Sequence, residues 1–217
     1  MADVLKWLKY IDTYLFLLIN HDADGNKTDA IMVLLRNANT WIPLYIFMIV
    51  FAFKTFKKNQ AWLFCALSVA TVAISDSLSA RLMKPFFGRL RPYFDPALQG
   101  IVRPLTGNGG MFSFPSSHAA NHFALAAFWF YTIWIITDKK WKWLWFWAAA
   151  ICYAQVYVGN HYPLDVLVGA GLGWLIGATF SRIFMPWSNN PIAIMKRNMY
   201  NLRSFQATGS VVNFKSK

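Results

Sequence analysis

The sequence predicts an all-α protein: an integral membrane helical bundle of five, or in an alternative reading six, transmembrane helices, with an interfacial helix at its N-terminus. Three observations predict it. Hydrophobic residues make up 57% of the chain and charged residues 14%, far below the roughly 25% charged residues of a soluble domain. Apolar runs long enough to cross a bilayer recur along the chain, separated by short polar or basic segments. The 11 Trp and 19 Phe fit the enrichment of aromatics at water–lipid boundaries. A length of 217 residues suits one well-cored domain and is short for two.

Residues 5–20 are apolar but short, and Lys6, Lys9 and Asp12 interrupt them. They read as a helix lying in the interface, with a sixth span as the alternative. Residues 21–29 (HDADGNKTD) begin like a calcium-binding loop. Such a loop needs glycine where Lys27 stands and an acidic ligand where Val33 stands, so the segment reads as a polar loop. Four long apolar runs follow, at residues 39–56, 60–80, 118–137 and 163–186, and a shorter aromatic-rich run at 141–158 makes the fifth span. Residues 1–186 thus form one membrane domain. Residues 187–217 form a polar basic tail carrying Lys196, Arg197, Arg203, Lys215 and Lys217, expected in the cytoplasm. Met1 to Lys9 lead into an apolar stretch without a small-residue cleavage pattern, so no cleavable leader is expected. Cys65 and Cys152 sit inside apolar runs and read as packing residues; neither a disulfide framework nor metal-ligand spacing is present, and no metal or other cofactor is expected.

The net charge of +12 admits nucleic acid, anionic lipid head groups or a phosphate substrate. Nucleic acid is excluded by pattern, because the basic residues fall in short clusters between apolar runs and form no continuous stripe with interleaved aromatics. With five spans, Lys54, Lys57 and Lys58, then Lys139, Lys140 and Lys142, then the tail, all fall on one side, which the positive-inside rule assigns to the cytoplasm. The opposite side holds residues 81–115 and the turn at 159–162. That outer segment is itself basic (Arg81, Lys84, Arg89, Arg91, Arg103), which runs against the positive-inside rule, a conflict that eases if its cations serve a phosphate site.

Three short segments abut span ends on that outer side: Lys84 to Pro92 (KPFFGRLRP), Pro115-Ser116-Ser117-His118, and His161 to Asp165 (HYPLD). Phosphoryl transfer needs cations or N–H donors around the equatorial oxygens, a nucleophile in line and an acid for the leaving oxygen. Lys84 offers a compact point charge and Arg91 a planar fork. Pro115 before an apolar run marks a helix start, whose free N–H groups near Ser116 and Ser117 aim at an anion. His118 is placed to protonate a leaving oxygen. His161 is placed to attack phosphorus, with Asp165 one turn on to set its tautomer. Singly, each segment has a plainer reading: a head-group anchor, a helix cap, a structural hydrogen bond. Their conjunction on one side of the membrane is the specific signal. His122, one turn after His118, reads as a packing or network residue, and His21 has no partner in the pattern.

This pattern resembles the type 2 phosphatidic acid phosphatase superfamily, which includes bacterial undecaprenyl-diphosphate and lipid A phosphatases and the vanadium haloperoxidases. Lys84 to Pro92 match its first motif (Lys, six residues, Arg-Pro) in full. Pro115 to His118 match Pro-Ser-Gly-His with Ser117 in place of glycine. His161 and Asp165 match the third motif, Ser-Arg, five residues, His, three residues, Asp, but Ala154 and Gln155 replace Ser-Arg. The resemblance implies a helical bundle in which His161 forms a phosphohistidine, Asp165 orients it and His118 is the general acid. It implies that Lys84, Arg91 and the backbone near Ser116 and Ser117 hold the phosphate without metal. At position 155 a neutral glutamine stands where the family carries charge, a difference of roughly 1–2 kcal/mol in contact strength; Arg89 is the alternative cation.

The implied activity is hydrolysis of a lipid phosphate or diphosphate, of undecaprenyl diphosphate, lipid A or phosphatidylglycerophosphate type, at the outer face of a bacterial inner membrane. Phe86, Phe87, Tyr93 and Phe94 beside the cations suit an amphiphilic substrate. Two other functions stay open: a lipid phosphotransferase, with a lipid hydroxyl as acceptor, and a non-catalytic lipid-phosphate-binding or transport protein. The bilayer and a lipid phosphate are the expected partners.

Overall fold

The computed structural model describes residues 2–20, 25–107 and 109–187. The basic tail beyond Trp187, Asn108, His21 and the first half of the 21–29 loop lie outside the described residues. Helices α1 (Ala2–Asn20), α2 (Asn26–Arg36), α3 (Ile42–Thr55), α4 (Lys58–Asp76), α5 (Lys84–Phe87), α6 (Ser117–Thr137), α7 (Trp143–Tyr157) and α8 (Pro163–Phe184) build an all-α bundle. Among the described residues there is no strand, only an isolated antiparallel bridge between Leu90 and Phe112. The membrane bundle read from composition therefore forms.

Among the described residues, four helices are long and apolar enough to cross a membrane: Ala38–Thr55, Lys58–Phe87, Ser117–Thr137 and Pro163–Trp187. At 15 residues α7 is shorter than these, about 22 Å at the α-helical rise. Large apolar side chains such as Trp62, Val69, Phe146, Leu167 and Leu175 face outward, as a lipid solvent requires. Inside, Phe56, Phe64, Phe128, Phe184, Trp129 and Trp147 form one cluster joining α3, α4, α6, α7 and α8. Phe64 stacks on Phe128 at 5.2 Å, and Trp129 on Trp147 at 5.9 Å.

Two expectations about local structure change. The second span was expected to end near residue 80, with Lys84 in a loop. Instead α4 continues through a π-helical stretch, Ser77–Met83, directly into α5, so Lys84 is carried on a helix. The wider π turn shifts the register of everything after it, which re-aims Lys84. The polar loop expected over 21–29 is also shorter. Asn26 already begins α2, with Asp29 in its first turn, where a carboxylate complements the helix dipole.

Helix α1 docks one face on the bundle. Among its described side chains Asp12, Phe16 and Asn20, spaced by four residues, are buried, while Trp7, Tyr10 and Tyr14 are exposed. Phe16 packs on Tyr162 at 5.3 Å. The Asn20 amide donates to the Tyr157 and Arg103 carbonyls at 2.7 and 3.0 Å and accepts from the Arg103 N–H at 2.9 Å. Helices α6 and α8 approach most closely, through Gly169, Gly173 and Gly177 of α8. A Cβ at these positions would strike the carbonyl oxygens of Ser116, Ala120 and Ala124 respectively.

The two lysine-rich turns lie at one end. Phe51 of α3 meets Trp141 of the α6–α7 turn at 4.6 Å, and Gln60 at the start of α4 donates to the Trp187 carbonyl at 2.7 Å. The starts of α6 and α8 lie at the other end.

Candidate active site

The opposite end holds a cavity of ≈ 390 Å³ lined by Ala80, Lys84, Pro85, Arg91, Gly110, Met111, Phe112, Ser117, His118 and His161. All three sequence segments therefore contribute to one space. Ser116 and Gln155 are not among its lining residues.

The cations are aimed by backbone carbonyls of the 109–113 loop. Lys84 Nζ donates to the Phe112 and Ser113 carbonyls at 3.3 and 3.2 Å. Arg91 Nε donates to the Gly110 carbonyl at 2.6 Å, and a terminal nitrogen donates to the Asn160 carbonyl at 3.1 Å. Gly109 is needed where it stands, because a Cβ there would lie 2.8 Å from Arg91 Cζ and 2.9 Å from the Tyr93 hydroxyl. Sequence reasoning missed this loop; the Gly109-Gly110 pair was the available signal for a close backbone approach. Burial pulls the Arg91 pKa down, with Tyr93 and Asp165 opposing, yet a guanidinium stays charged throughout the useful pH range.

The same Arg91 nitrogen contacts His161 Nε2 at 3.2 Å. A guanidinium can only donate, so Nε2 must accept and carry no proton. The ring proton then sits on Nδ1, which faces Asp165 Oδ2 at 3.5 Å, an electrostatic contact longer than a closed hydrogen bond. His161 is 1% exposed. Burial drives its pKa down to about 4; Asp165 opposes this, and Arg91 and Lys84 add to it. The neutral ring, its Nε2 electron pair turned to the Arg91 guanidinium, is thus its resting form near neutral pH.

Asp165 is fully buried and engaged on both oxygens. Oδ2 accepts the Tyr162 N–H at 2.9 Å, closing the N-terminus of α8, and Oδ1 accepts from Arg89 at 2.8 Å. Arg89 is committed further: its other terminal nitrogen meets Asp12 Oδ2 at 2.5 Å, and its guanidinium lies 3.9 Å over the Tyr162 ring. Arg89, the alternative cation of the sequence reading, is therefore spent on two carboxylates and does not line the cavity.

Ser116 caps α6. Its hydroxyl accepts the Ala119 N–H at 3.4 Å, and its own N–H donates to the Asp165 carbonyl at 2.9 Å. That N–H is not free for an anion, which narrows the expected donor set to the first-turn N–H groups of Ser117 and His118, where a helix has no internal acceptor. The Ser117 hydroxyl is buried without a partner. Gln155 is fully buried, and neither of its amide atoms has a partner. His122 Nδ1 pairs with the His118 carbonyl at 2.8 Å, and its ring packs edge-on against Trp147 at 5.2 Å, a network role. Among the described residues no group of three or more His, Cys, Asp or Glu side chains could hold a metal ion.

Residues 60–188 match the family model of the PAP2 superfamily. A lipid A 4'-phosphatase of Bacteroides thetaiotaomicron is 30% identical over 181 residues, 82% of this chain and 78% of that protein. A lipid A 4'-phosphatase of Porphyromonas gingivalis is 27% identical over 183 residues, 83% of this chain and 76% of that protein. The crystal structure of a transmembrane PAP2-type phosphatidylglycerolphosphate phosphatase from Bacillus subtilis superposes with a TM-score of 0.63 at 19% identity, covering 83% of this chain and 86% of the other, and supports the fold. The matched region contains all three motifs and every helix that lines the cavity, so the chain belongs to the PAP2 superfamily.

Proposed function

We propose that the protein is a membrane lipid phosphatase that hydrolyses a phosphate monoester of a lipid A-type glycolipid through a phosphohistidine at His161. One observation carries the reading: Lys84, Arg91, Ser117, His118 and His161 share one cavity. The two lipid A 4'-phosphatase relatives favour the glycolipid class over a polyprenyl diphosphate or phosphatidylglycerophosphate. Exposed Phe86, Phe87, Phe94 and Met111 flank the cations and offer apolar surface to acyl chains.

In this mechanism Lys84 Nζ, the Arg91 fork, the Ser117 hydroxyl and the first-turn N–H groups of α6 hold the equatorial oxygens. The Nε2 pair attacks phosphorus as the ester P–O bond breaks, and His118 gives its proton to the leaving oxygen. Asp165 faces the Nδ1–H and offsets the positive charge that develops on the ring. Water then attacks phosphorus, His118 takes its proton, the P–N bond breaks, and His161 and inorganic phosphate are released.

The lysine turns lie at the end opposite the cavity, which supports an arrangement with those turns in the cytoplasm and the site at the outer leaflet of a bacterial inner membrane. In that arrangement α7 is the fifth span and α1 lies along the interface.

The test is phosphate release by detergent-solubilised protein across lipid A, polyprenyl diphosphate and phosphatidylglycerophosphate. Wild type should turn over lipid A fastest, and His161→Ala should release none. Full activity in His161→Ala would remove the assigned nucleophile.

A further inference from the structure

The N-terminal helix carries a carboxylate that no motif includes. Asp12 is 5% exposed in the middle of α1. A buried carboxylate far along the sequence from the site needs a reason, because burying it unpaired is costly. Its contacts supply the reason. Oδ1 accepts the Leu164 N–H at 2.8 Å, a first-turn donor of α8 without a helical acceptor. Oδ2 pairs with Arg89 at 2.5 Å, and Arg89 pairs with Asp165 at 2.8 Å. Asp165 in turn faces His161 Nδ1. Four side chains from α1, the 88–91 segment, the α7–α8 turn and α8 thus form one chain of charges.

The order of signs matters. Attack by Nε2 leaves positive charge on the His161 ring, which a negative neighbour at Nδ1 must offset. Arg89 alone on Asp165 would cancel that carboxylate's field. Asp12 on the far side of Arg89 leaves the trio with one net negative charge facing the ring. It also holds Arg89 against the Tyr162 ring and secures the turn of α8 that bears Asp165.

We propose that Asp12 is a positioning residue of the catalytic centre, acting through Arg89 and Asp165 on His161. The inference rests on His161 being the nucleophile. It makes α1 part of the catalytic apparatus and not simply a membrane-surface anchor.

The expected signature is specific. Lys84, Arg91 and Ser117, which face the substrate, do not touch Asp12. Asp12→Asn should therefore lower kcat by about 10- to 100-fold, the size that loss of an outer hydrogen-bond partner has for a metal-ligating histidine, with KM little changed. The groups facing His161 are Asp165 from α8, Arg91 and Lys84 from the segments before the 109–113 loop, and His118 from α6. All of them remain in the variant, while one negative charge is lost. The imidazolium is then less favoured, so the acid limb of kcat/KM should move to lower pH. Asp12→Glu should recover part of kcat and return the limb toward its original place.

The experiment measures kcat, KM and the pH profile of full-length wild type, Asp12→Asn, Asp12→Glu and His161→Ala in detergent, with thermal unfolding of each. Because Asp12→Asn can fold poorly, Arg89→Met and the double variant Asp12→Asn/Arg89→Met are run beside it; coupled action predicts that their effects on kcat are not additive. An inactive His161→Ala with Asp12→Asn at wild-type kcat and an unmoved acid limb overturns this inference alone. An active His161→Ala overturns the nucleophile assignment on which it rests. Equal loss of kcat at every pH, without rescue by glutamate and with additive effects in the double variant, reduces Asp12 to a packing role and likewise overturns the proposal.

Discussion

Gly169→Ala is the substitution whose consequence the structure specifies most closely. Gly169 lies on α8 against the first turn of α6. A Cβ there would run into the Ser116 carbonyl oxygen and lie 3.2 Å from Ala119 Cβ. The obstacle is backbone, so no rotamer change relieves it. Restoring ordinary van der Waals contact needs α6 and α8 to part by about 1 Å. Helix α6 carries Ser117 and His118, whereas the entry to α8 carries His161 and Asp165, and the Ser116 N–H to Asp165 carbonyl bond at 2.9 Å links the two. The displacement therefore falls on the spacing between proton donor and nucleophile. A misplacement of about 1 Å costs about 10²-fold in rate, and overpacking of this kind costs about 1–3 kcal/mol of stability. The assay is kcat for lipid phosphate hydrolysis in detergent, with thermal unfolding of the same samples. Gly171→Ala is the control: it lies on the same helix, nothing stands within 4 Å of its Cβ position, and it should behave as wild type. A Gly169→Ala enzyme with wild-type kcat, or a Gly171→Ala enzyme equally impaired, would refute the argument.

Arg91→Lys should lower kcat/KM by about 10²-fold or more, because one ammonium nitrogen cannot stand in for the guanidinium's separate Nε, on the Gly110 carbonyl, and terminal nitrogen, on the Asn160 carbonyl and His161 Nε2, and still present a fork to phosphate; steady-state kinetics at low salt checks it. Gln155 lies outside the cavity lining, so Gln155→Leu should leave KM unchanged. It should raise the melting temperature, since two buried amide atoms without partners disappear; a raised KM would return Gln155 to the binding set. The pH profile follows from His161. Its folded pKa of about 4 lies below its unfolded value of 6.5, so the folded site favours the neutral ring. The nucleophile stays active down to about pH 4, where the acid limb of kcat/KM in the free enzyme should fall. The same shift stabilises the fold fully above the unfolded pKa and is lost as pH drops from 6.5 toward 4, which thermal unfolding across that range reads directly.

Composition and run length were sufficient for the class of structure, because a bilayer accepts few backbone solutions and 57% hydrophobic residues with 14% charged leave little choice. Motif spacing was sufficient to nominate Lys84, Arg91, Ser117, His118 and His161, because local helix starts and short turns hold these residues at fixed intervals. What only the tertiary structure decided are relations between distant segments. The π-helical register that carries Lys84, the 109–113 carbonyls that aim both cations, the glycine face that brings α6 against α8, and the placement of Asp12 and Arg89 behind Asp165 all join residues tens of positions apart. The glycine spacing at 169, 173 and 177 was readable as a small-residue helix face, but its partner was not. Sequence periodicity reports which face of an element is apolar or small; it carries no record of which other element will meet that face, since that is set by the packing of the whole bundle.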